Sequence, residues 1–387
     1  MGLYEQNEKG GFRMTLKNNS ITHSVVDLFC GIGGLSYGLK AAGLNVVAGL
    51  DINEKCKFSY GGNNGAEFIQ SDLTQCSSER INQLFSDSEV KILVGCAPCQ
   101  PFSRYSKRYR KQGFAYDKEG DNEDAKGRYY LIDEFLRIIK DVKPHIVSLE
   151  NVPGLRNEEV FVRFTSELEA MDYQIRYSIV YCPDYGVPQK RKRLVLFASR
   201  FGDIELIKPT TAAENYITVW DAIGEVPELL DGAINESDIM HRSAKLSELN
   251  KKRIKQSRAG GTWRDWDEDL RLRCHLKDSG RTYPSVYGRM KWGEPSPTIT
   301  TQFYGYGNGR FGHPEQDRAL SLREGAILQS FPLEYKFIPE DSPLEFTMRE
   351  LGMHIGNAVP PKLGEAVGKS ILKHLEDVEY GKKENAI

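Results

Sequence analysis

The sequence has no long apolar run and no apolar segment near its start. No stretch of about 18 or more apolar residues occurs along the 387 residues, whereas a membrane-spanning helix needs about 20. The first 20 residues are polar and lack the apolar core of a secretory signal. These absences exclude a transmembrane helix and a signal peptide, and they predict a cytoplasmic protein without a membrane partner. We expect residues 1–23 to form a flexible extension.

Cysteine is scarce, and the seven cysteines are odd in number and widely spaced. We interpret them as reduced thiols rather than as a disulfide framework. One Cys-x-x-Cys pair occurs, Cys96 with Cys99, and no second pair is present to complete a zinc site. The sequence therefore predicts no bound metal.

The chain also lacks a strong overall charge, because its formal net charge is −2. This excludes nucleic-acid binding through a global basic field, so any such contact depends on local patches. Residues 242–292 contain 14 Lys and Arg against 6 Asp and Glu, a local net charge of +8, with Trp and Tyr interleaved. This pattern predicts a nucleic-acid-binding surface within an otherwise neutral protein.

The order of apolar segments predicts an α/β fold. Residues 24–200 alternate short apolar strands with amphipathic helices, a pattern that favours a Rossmann-like, mostly parallel sheet covered on both faces. Residues 201–316 lose this alternation, and we expect a smaller lobe that is mostly irregular or β. Residues 317–380 regain it and are expected to return to the first lobe. Ligands of such sheets bind beyond the carboxyl ends of the strands.

A glycine-rich turn follows the first of these strands, in DLFCGIGG from Asp27 to Gly34. Glycines let a ligand approach the backbone closely, and a helix start favours polar or negative groups. About 20 residues later Asp51 ends the second strand, where an acid can bind ribose hydroxyls. Asp72 ends the third strand, where a carboxylate can face an adenine amino group. A tight turn without any ligand explains the glycines equally well.

A cysteine and an acid follow the next two strands. In GCAPCQPFS, Cys99 lies between prolines in a stiff turn, where a partly exposed thiol can act as a nucleophile. An inert buried cysteine and a Cys96–Cys99 redox pair remain alternatives. In SLENVPGL, Glu150 is an acid placed to carry a proton, with a helix-capping carboxylate as the alternative.

Two later segments carry polar groups. In VPQKRKRL, alternation places Arg191 and Arg193 on one face, where they can hold a base oxygen and a phosphate. A solvated basic turn is the alternative. In HIGNAVPP, Asn357 offers an amide to a ligand just before a Pro–Pro helix start.

In this order, the motifs DLFCGIGG, SDL, PCQPFS, LENV, QKRKR, RALSLREGAILQSFP and GNAVPP resemble those of the bacterial-type DNA (cytosine-5) methyltransferases, from about Val25 to Leu375. The resemblance implies an S-adenosyl-L-methionine-dependent methyltransferase fold. It implies that Cys99 is the nucleophile, that Glu150 contacts N3 of the cytosine, and that Arg191 and Arg193 position the base. The implied cofactor contacts are Asp27, Phe29, Gly31, Gly33, Asp51, Ile52, Asp72, Leu73, Pro98, Leu131, Asn357 and Val359.

The resemblance also implies double-stranded DNA as the substrate, with the cytosine flipped out of the duplex and residues 201–316 as the target-recognition lobe. We expect residues 104–126 to form a clamp that closes over the DNA. We expect a monomer in a prokaryotic cytoplasm, associated with the nucleoid through its substrate, with a restriction endonuclease acting on the same site. A tRNA cytosine-5 methyltransferase is the nearest alternative, although its Cys-Phe-Thr signature is missing. A Cys-x-x-Cys thiol oxidoreductase is the alternative from another class.

Overall fold

A twisted sheet organises the first half of the molecule. The computed structural model describes residues 3–6, 12–15, 22–85, 88–98, 123–278, 280, 284–341 and 345–384. Seven strands within these ranges form the sheet. They are β3 (His23–Leu28), β4 (Val46–Asp51), β5 (Glu67–Gln70), β6 (Val90–Gly95), β7 (Ile146–Asn151), β8 (Gln174–Tyr181) and β9 (Lys192–Ser199).

The strand order is β5-β4-β3-β6-β7-β9-β8. The first five strands of this order pair in parallel, and β9 is antiparallel to both of its neighbours. The chain moves outward from β3 to β5 on one side and then crosses to β6 on the other. The ends of β3 and β6 therefore form the point where the order reverses, the usual ligand site of such sheets. The α/β, Rossmann-like prediction is confirmed.

Helices cover both faces of this sheet, as its continuously apolar strands require. The helices before residue 200 are α1 (Gly34–Ala42), α2 (Lys57–Asn64), α3 (Ser78–Leu84), α4 (Glu123–Val142) and α5 (Glu159–Glu169). Those after it are α6 (Val219–Ile223), α7 (Glu248–Gln256), α8 (Leu322–Leu328), α9 (Met348–Asn357) and α10 (Pro361–Glu384). One apolar cluster joins the sheet to α3, α4 and α5, and another joins its opposite face to α1 and α10.

Glycines bring the first and last of these helices into close contact. A Cβ atom on Gly38 of α1 would lie 2.2 Å from the carbonyl oxygen of Pro361, and one on Gly364 of α10 would lie 2.9 Å from that of Leu35. The two helix backbones thus touch without intervening side chains. Because α1 starts at the glycine-rich turn, this packing fixes the turn relative to the end of the chain.

The predicted recognition lobe has little regular structure beyond α6, α7 and the short hairpin of β10 (Ile234–Asn235) and β11 (Asp238–Arg242). Its apolar cluster includes Val219, Ile299 and Phe303 and continues into α8 and α9, through Ala326 and Ile355. The core of this region therefore combines residues from both sides of position 317. The division of the chain at 316–317 stays a prediction.

Two short strands, β1 (Leu3–Gln6) and β2 (Phe12–Thr15), pair antiparallel within the predicted N-terminal extension. At the other end, α10 continues to Glu384. In the part of the chain that the structure describes, no helix is both long and apolar enough to span a bilayer.

Candidate active site

The glycine-rich turn leaves one open stretch of backbone beyond β3. Phe29, Gly31 and Gly33 have positive φ angles of 59°, 52° and 91°. No heavy atom lies within 4 Å of a Cβ built on Gly31, whereas one built on Gly33 would lie 2.2 Å from the side-chain nitrogen of Asn64. Gly33 is therefore required by packing, and Gly31 offers bare backbone to a ligand.

Asp51 is held over this turn. Its Oδ2 accepts a 2.9 Å hydrogen bond from the Gly31 N–H, and its Oδ1 accepts one of 2.9 Å from the Asn53 N–H. Burial raises the pKa of Asp51, while these backbone donors act in the opposite direction. The next residue, Ile52, is 66% exposed. The turn thus combines open backbone, a carboxylate and an apolar side chain that is free to cover a ring.

Asp27 lies beneath the turn rather than on its open side. It is 1% exposed, and its Oδ2 accepts a 2.6 Å hydrogen bond from the Ser36 hydroxyl of α1. Burial raises the pKa of Asp27 to about 7. Any influence of Asp27 on a ligand therefore passes through the turn and the first helix.

Asp72 does not end a strand, because β5 stops at Gln70. The expected boundary is wrong by two residues. The reason is a local turn, in which Asp72 Oδ1 accepts hydrogen bonds of 3.0 and 2.8 Å from the backbone N–H and the hydroxyl of Thr74. Leu73 is buried in the core beside it, Pro98 is exposed and Leu131 is half-buried.

Segments far apart in sequence meet at the glycine-rich turn. A Cβ on Gly34 would lie 2.3 Å from the carbonyl oxygen of Val359, so the segment after α9 packs directly against the start of α1. Val359 is buried and Asn357 is exposed. The Tyr335 hydroxyl donates a 2.5 Å hydrogen bond to the carbonyl of Ile32. The structure therefore brings Asn357 and Val359 to the region of the turn.

Glu150 is the central acid at the neighbouring strand ends. It is 4% exposed, and its Oε2 accepts a 2.9 Å hydrogen bond from the Cys96 thiol. The Nε atom of Arg193 lies 2.9 Å from Oε1 and forms an ion pair with it. No aligned hydrogen bond to Oε1 occurs among the described residues. The site therefore holds a buried carboxylate with one oxygen still able to accept.

Asn151 connects this acid to the turn that carries the predicted nucleophile. Its side-chain amide donates a 3.0 Å hydrogen bond to the carbonyl of Ala97, two residues before Cys99. Cys99 itself lies outside the described residues, as does the expected clamp apart from residues 123–126, which belong to α4. Sequence reasoning missed the linking role of Asn151, for which the only signal was its position directly after Glu150.

Three buried thiols of this lobe, those of Cys30, Cys56 and Cys182, are poor nucleophiles. Burial raises the pKa of Cys30 and Cys56, and it raises that of Cys182 to about 11 even though Arg193 and Arg191 act to lower it. These cysteines stay protonated near neutral pH. The described residues contain no group of His, Cys, Asp and Glu side chains able to hold a metal ion.

Arg191 and Arg193 have different surroundings. Arg193 faces Glu150, but Arg191 is 3% exposed and donates to the carbonyls of Ile299 (3.0 Å) and Gly356 (3.4 Å). Arg191 thus ties the start of β9 to the recognition region and to the end of α9. Its contacts favour a positioning role over direct contact with a base.

A pair of buried glutamines reinforces the same junction. Gln189 Nε2 donates a 2.6 Å hydrogen bond to Gln329 Oε1, and Gln189 Oε1 accepts one of 2.8 Å from the Ile299 N–H. Gln329 in turn donates to the carbonyl of Ile355 over 2.7 Å. Gln189 lies in the VPQKRKRL segment that the sequence analysis considered, but no signal pointed to Gln329, whose partner is 140 residues away.

Comparisons with known proteins agree with this architecture. The family model for C-5 cytosine-specific DNA methylases matches residues 23–373. The Type II methylase M.HgiDII of Herpetosiphon aurantiacus is 47% identical over 356 residues, which cover 91% of this chain and 96% of the relative. The Type II methyltransferase M1.HphI of Haemophilus parahaemolyticus is 30% identical, over 90% of this chain and 86% of its own length.

Among solved structures, a prophage-encoded protein of E. coli, described as a DNA modification methyltransferase, superposes with a TM-score of 0.67. The match covers 92% of this chain and 100% of that one at 21% identity, a level that supports the shared fold alone. The family match, in contrast, spans nearly the whole chain and includes every strand of the central sheet. The chain therefore belongs to the C-5 cytosine-specific DNA methylases.

Proposed function

We propose that this methylase transfers a methyl group from S-adenosyl-L-methionine to carbon 5 of a cytosine that is flipped out of a specific sequence in double-stranded DNA. The observation that carries the proposal is the Glu150 carboxylate, buried at the end of β7 and held by Cys96 and Arg193. In its protonated form, such a group can donate a hydrogen bond or a proton to N3 and so stabilise the negative charge that develops on the cytosine ring.

The residues around the glycine-rich turn fit the cofactor. Gly31 provides backbone with open space above it, Asp51 has remaining acceptor capacity for ribose hydroxyls, and the exposed Ile52 can cover the adenine ring. Asp72, Pro98, Leu131 and Asn357 would complete the binding site. When bound, S-adenosyl-L-methionine supplies an electrophilic methyl group on a positively charged sulfur.

The proposed reaction requires an enzyme nucleophile, because carbon 5 of cytosine by itself is too weakly nucleophilic to attack the methyl group. The Cys99 thiolate adds to carbon 6, and the electron pair moves onto the ring as Glu150, acting as an acid, donates a proton to N3. Carbon 5 would then bond to the methyl group as the sulfur–methyl bond breaks, with S-adenosyl-L-homocysteine as the leaving group, and Glu150 would take the N3 proton back. Loss of the carbon 5 proton to a base and cleavage of the bond between Cys99 and carbon 6 restore the aromatic ring. Flipping the base into the site costs a few kcal/mol.

The names of the relatives and the charge pattern support a proposal for the substrate contacts and the cellular setting of this reaction. Residues 242–292, with their local net charge of +8, would bind the DNA backbone. Because the two relatives are called Type II enzymes and come from bacteria, we assign the protein to a restriction–modification system in a prokaryotic cytoplasm. In that setting it acts as a monomer, associates with the nucleoid through its substrate, and has a cognate endonuclease that cuts the same site.

Bisulfite sequencing tests the proposal in a host whose DNA lacks cytosine methylation. Cells that express the wild-type protein should show protected cytosines in one short sequence context, and cells that express Cys99→Ser should show none. Cys96→Ser separates this activity from a thiol oxidoreductase, since the methylase should keep its activity and the oxidoreductase should lose it. Unprotected DNA from cells with abundant folded wild-type protein would refute DNA as the substrate, and tRNA would then be assayed.

A further inference from the structure

The pairing of two strands brings Cys96 next to Glu150. Strands β6 and β7 run parallel, with Gly95 opposite Leu149. The N–H of Cys96 still donates to the carbonyl of Leu28, over 3.4 Å, so the extended backbone continues one residue past β6. Residues at the same level of neighbouring strands point to the same side of a sheet. The side chains of Cys96 and Glu150 are therefore neighbours by register.

The Glu150 carboxylate has a different donor on each oxygen. The Cys96 thiol lies 2.9 Å from Oε2 and Arg193 Nε lies 2.9 Å from Oε1, and the glutamate is 4% exposed. A carboxylate removed from water requires such partners, because an unpaired buried charge is costly. Arg193 approaches Glu150 from β9, on the other side of β7, and contacts Oε1. Cys96 supplies the hydrogen bond to Oε2, which Arg193 does not make.

A thiol suits this place because it is a neutral and weak donor. It orients the carboxylate without adding a second positive charge beside that of Arg193. A second cation would compete with the substrate for the carboxylate. With Oε2 engaged by Cys96, the oxygen without an aligned hydrogen bond among the described residues is Oε1. Oε1 takes part in the ion pair with Arg193, but because no hydrogen bond from the described part of the chain is aligned with it, it is the oxygen that can still exchange a hydrogen bond or a proton with a cytosine ring.

We propose that Cys96 is a positioning residue for Glu150 in methyl transfer, and that its thiol holds the carboxylate in the orientation that acts on the cytosine. This inference rests on the proposed function and adds a residue to it. It also gives Cys96 a part in the reaction that differs from the redox partnership with Cys99 that the Cys-x-x-Cys spacing allows. Cys96 acts through Glu150 and makes no bond to the substrate.

Steady-state methyl transfer from labelled S-adenosyl-L-methionine to DNA carrying the target sequence tests this role. Cys96→Ala should lower kcat by about tenfold, equivalent to about 1.4 kcal/mol, while KM for DNA and for the cofactor stays unchanged. Cys96→Ser, which restores a donor, should recover most of kcat. In a Glu150→Gln background, Cys96→Ala should change the residual rate little, because coupled residues are not additive. Cys76→Ala, which removes a buried thiol elsewhere, is the matched control.

Cys96 also packs against the apolar cluster beneath α1 and α10. A loss of activity through impaired folding must therefore be distinguished from a loss through misorientation of Glu150. If Cys96→Ala yields little folded protein, Cys96→Val and Cys96→Thr can replace the Ala and Ser variants. Valine and threonine have similar shapes and both fill the space of the thiol, but only threonine has a hydroxyl donor. The inference is overturned by an unchanged kcat in the variants without a donor, by an equal loss in the Glu150→Gln background, or by failure of both Ser and Thr to recover activity. Inactivity of the wild-type protein on DNA would instead refute the proposed function itself.

Discussion

Asp27, beneath the glycine-rich turn, makes the stability of the fold depend on pH. Its carboxyl is almost completely buried, accepts a hydrogen bond from Ser36, and has its pKa raised from 3.8 to about 7 by burial. A carboxyl whose pKa is higher in the folded state than in the unfolded state favours folding while it is protonated. That contribution is fully present below about pH 3.8 and is lost as the pH rises to about 7.

Asp27→Asn removes this titration and should therefore flatten the decline in stability between about pH 4 and pH 8. Each unit of pKa difference corresponds to about 1.4 kcal/mol, so the variant should gain a few kcal/mol relative to wild type across that range. Urea unfolding at pH 4.5, 6 and 8, followed by tryptophan fluorescence, measures the difference. A constant difference between the two proteins at all three pH values would contradict the assignment.

The positions of single site residues show which features of the candidate site could be predicted from the sequence and which could not. Asp51 and Glu150 were expected from apolar runs that end in an acid, and the structure places both at strand ends. The contact between Cys96 and Glu150 was not expected, because it depends on the register of strands separated by more than 50 residues. Asp72 was misplaced because a side-chain turn ends β5 early, and strand propensity carries no information about that hydrogen bond.

At the level of the elements, α1 and α10 pack directly against each other through their backbones. Gly38 faces backbone atoms of α10, with Pro361 O at 2.2 Å and Glu365 N at 2.5 Å from a Cβ built on it. Backbone cannot rotate away as a side chain can, so an added methyl group must separate the helices. In α2, by contrast, Gly61 has no heavy atom within 4 Å of its Cβ position.

Gly38→Ala should destabilise the protein by about 1–3 kcal/mol, as overpacking of a tight contact does. The same change at Gly61 should stabilise it by roughly 0.5–1 kcal/mol, because alanine has the higher helix propensity and meets no obstacle. Urea unfolding of the two variants makes a matched comparison. Equal effects at the two positions would show that helix propensity, and not the contact between α1 and α10, decides the outcome.

Helices α1, α4 and α5 were predictable because each has an apolar face at helical spacing. The junction formed by Arg191, Gln189 and Gln329 was not, because its partners are carbonyls and amides whose contacts leave no periodic pattern. Arg191 illustrates the limit. Alternation pairs it with Arg193, yet β9 begins at Lys192 and Arg191 turns to the carbonyl of Ile299 instead.

For the molecule as a whole, charge is unevenly distributed. The net charge is −2, while residues 242–292 carry +8. Within this segment Arg258 has a side chain that is 78% exposed, and Arg264 is exposed above the buried ring of Trp263, with its guanidinium carbon 5.6 Å from the ring centre. The intervening loop is fixed by a hydrogen bond from Gly260 to Arg289. Two guanidinium groups are thus presented by a firmly anchored loop.

Arg258→Ala combined with Arg264→Ala should weaken DNA binding equally for specific and unrelated sequences. The slope of log K against log salt should fall by about 0.9 for each phosphate that the variant no longer neutralises, and the rate at saturating DNA should not change. Fluorescence anisotropy over a range of salt concentrations measures the slope. Lys369→Ala with Lys373→Ala, two exposed lysines of α10, is the control. An altered sequence preference would identify these arginines as base readers, and an unchanged slope would remove them from the interface.

The last helix has a consequence for synthesis on the ribosome. Leu363, Val367 and Ile371 of α10 complete the apolar layer that also contains Leu35, Leu39 and one face of the sheet. Because α10 leaves the ribosome after the other described elements, the nascent chain carries that face uncovered until α10 has emerged. A chain that ends before α10 leaves this apolar face exposed, which makes it prone to aggregation and proteolysis. The apolar layer of the first lobe is therefore completed only after α10 has been synthesised, and not stepwise as each strand emerges.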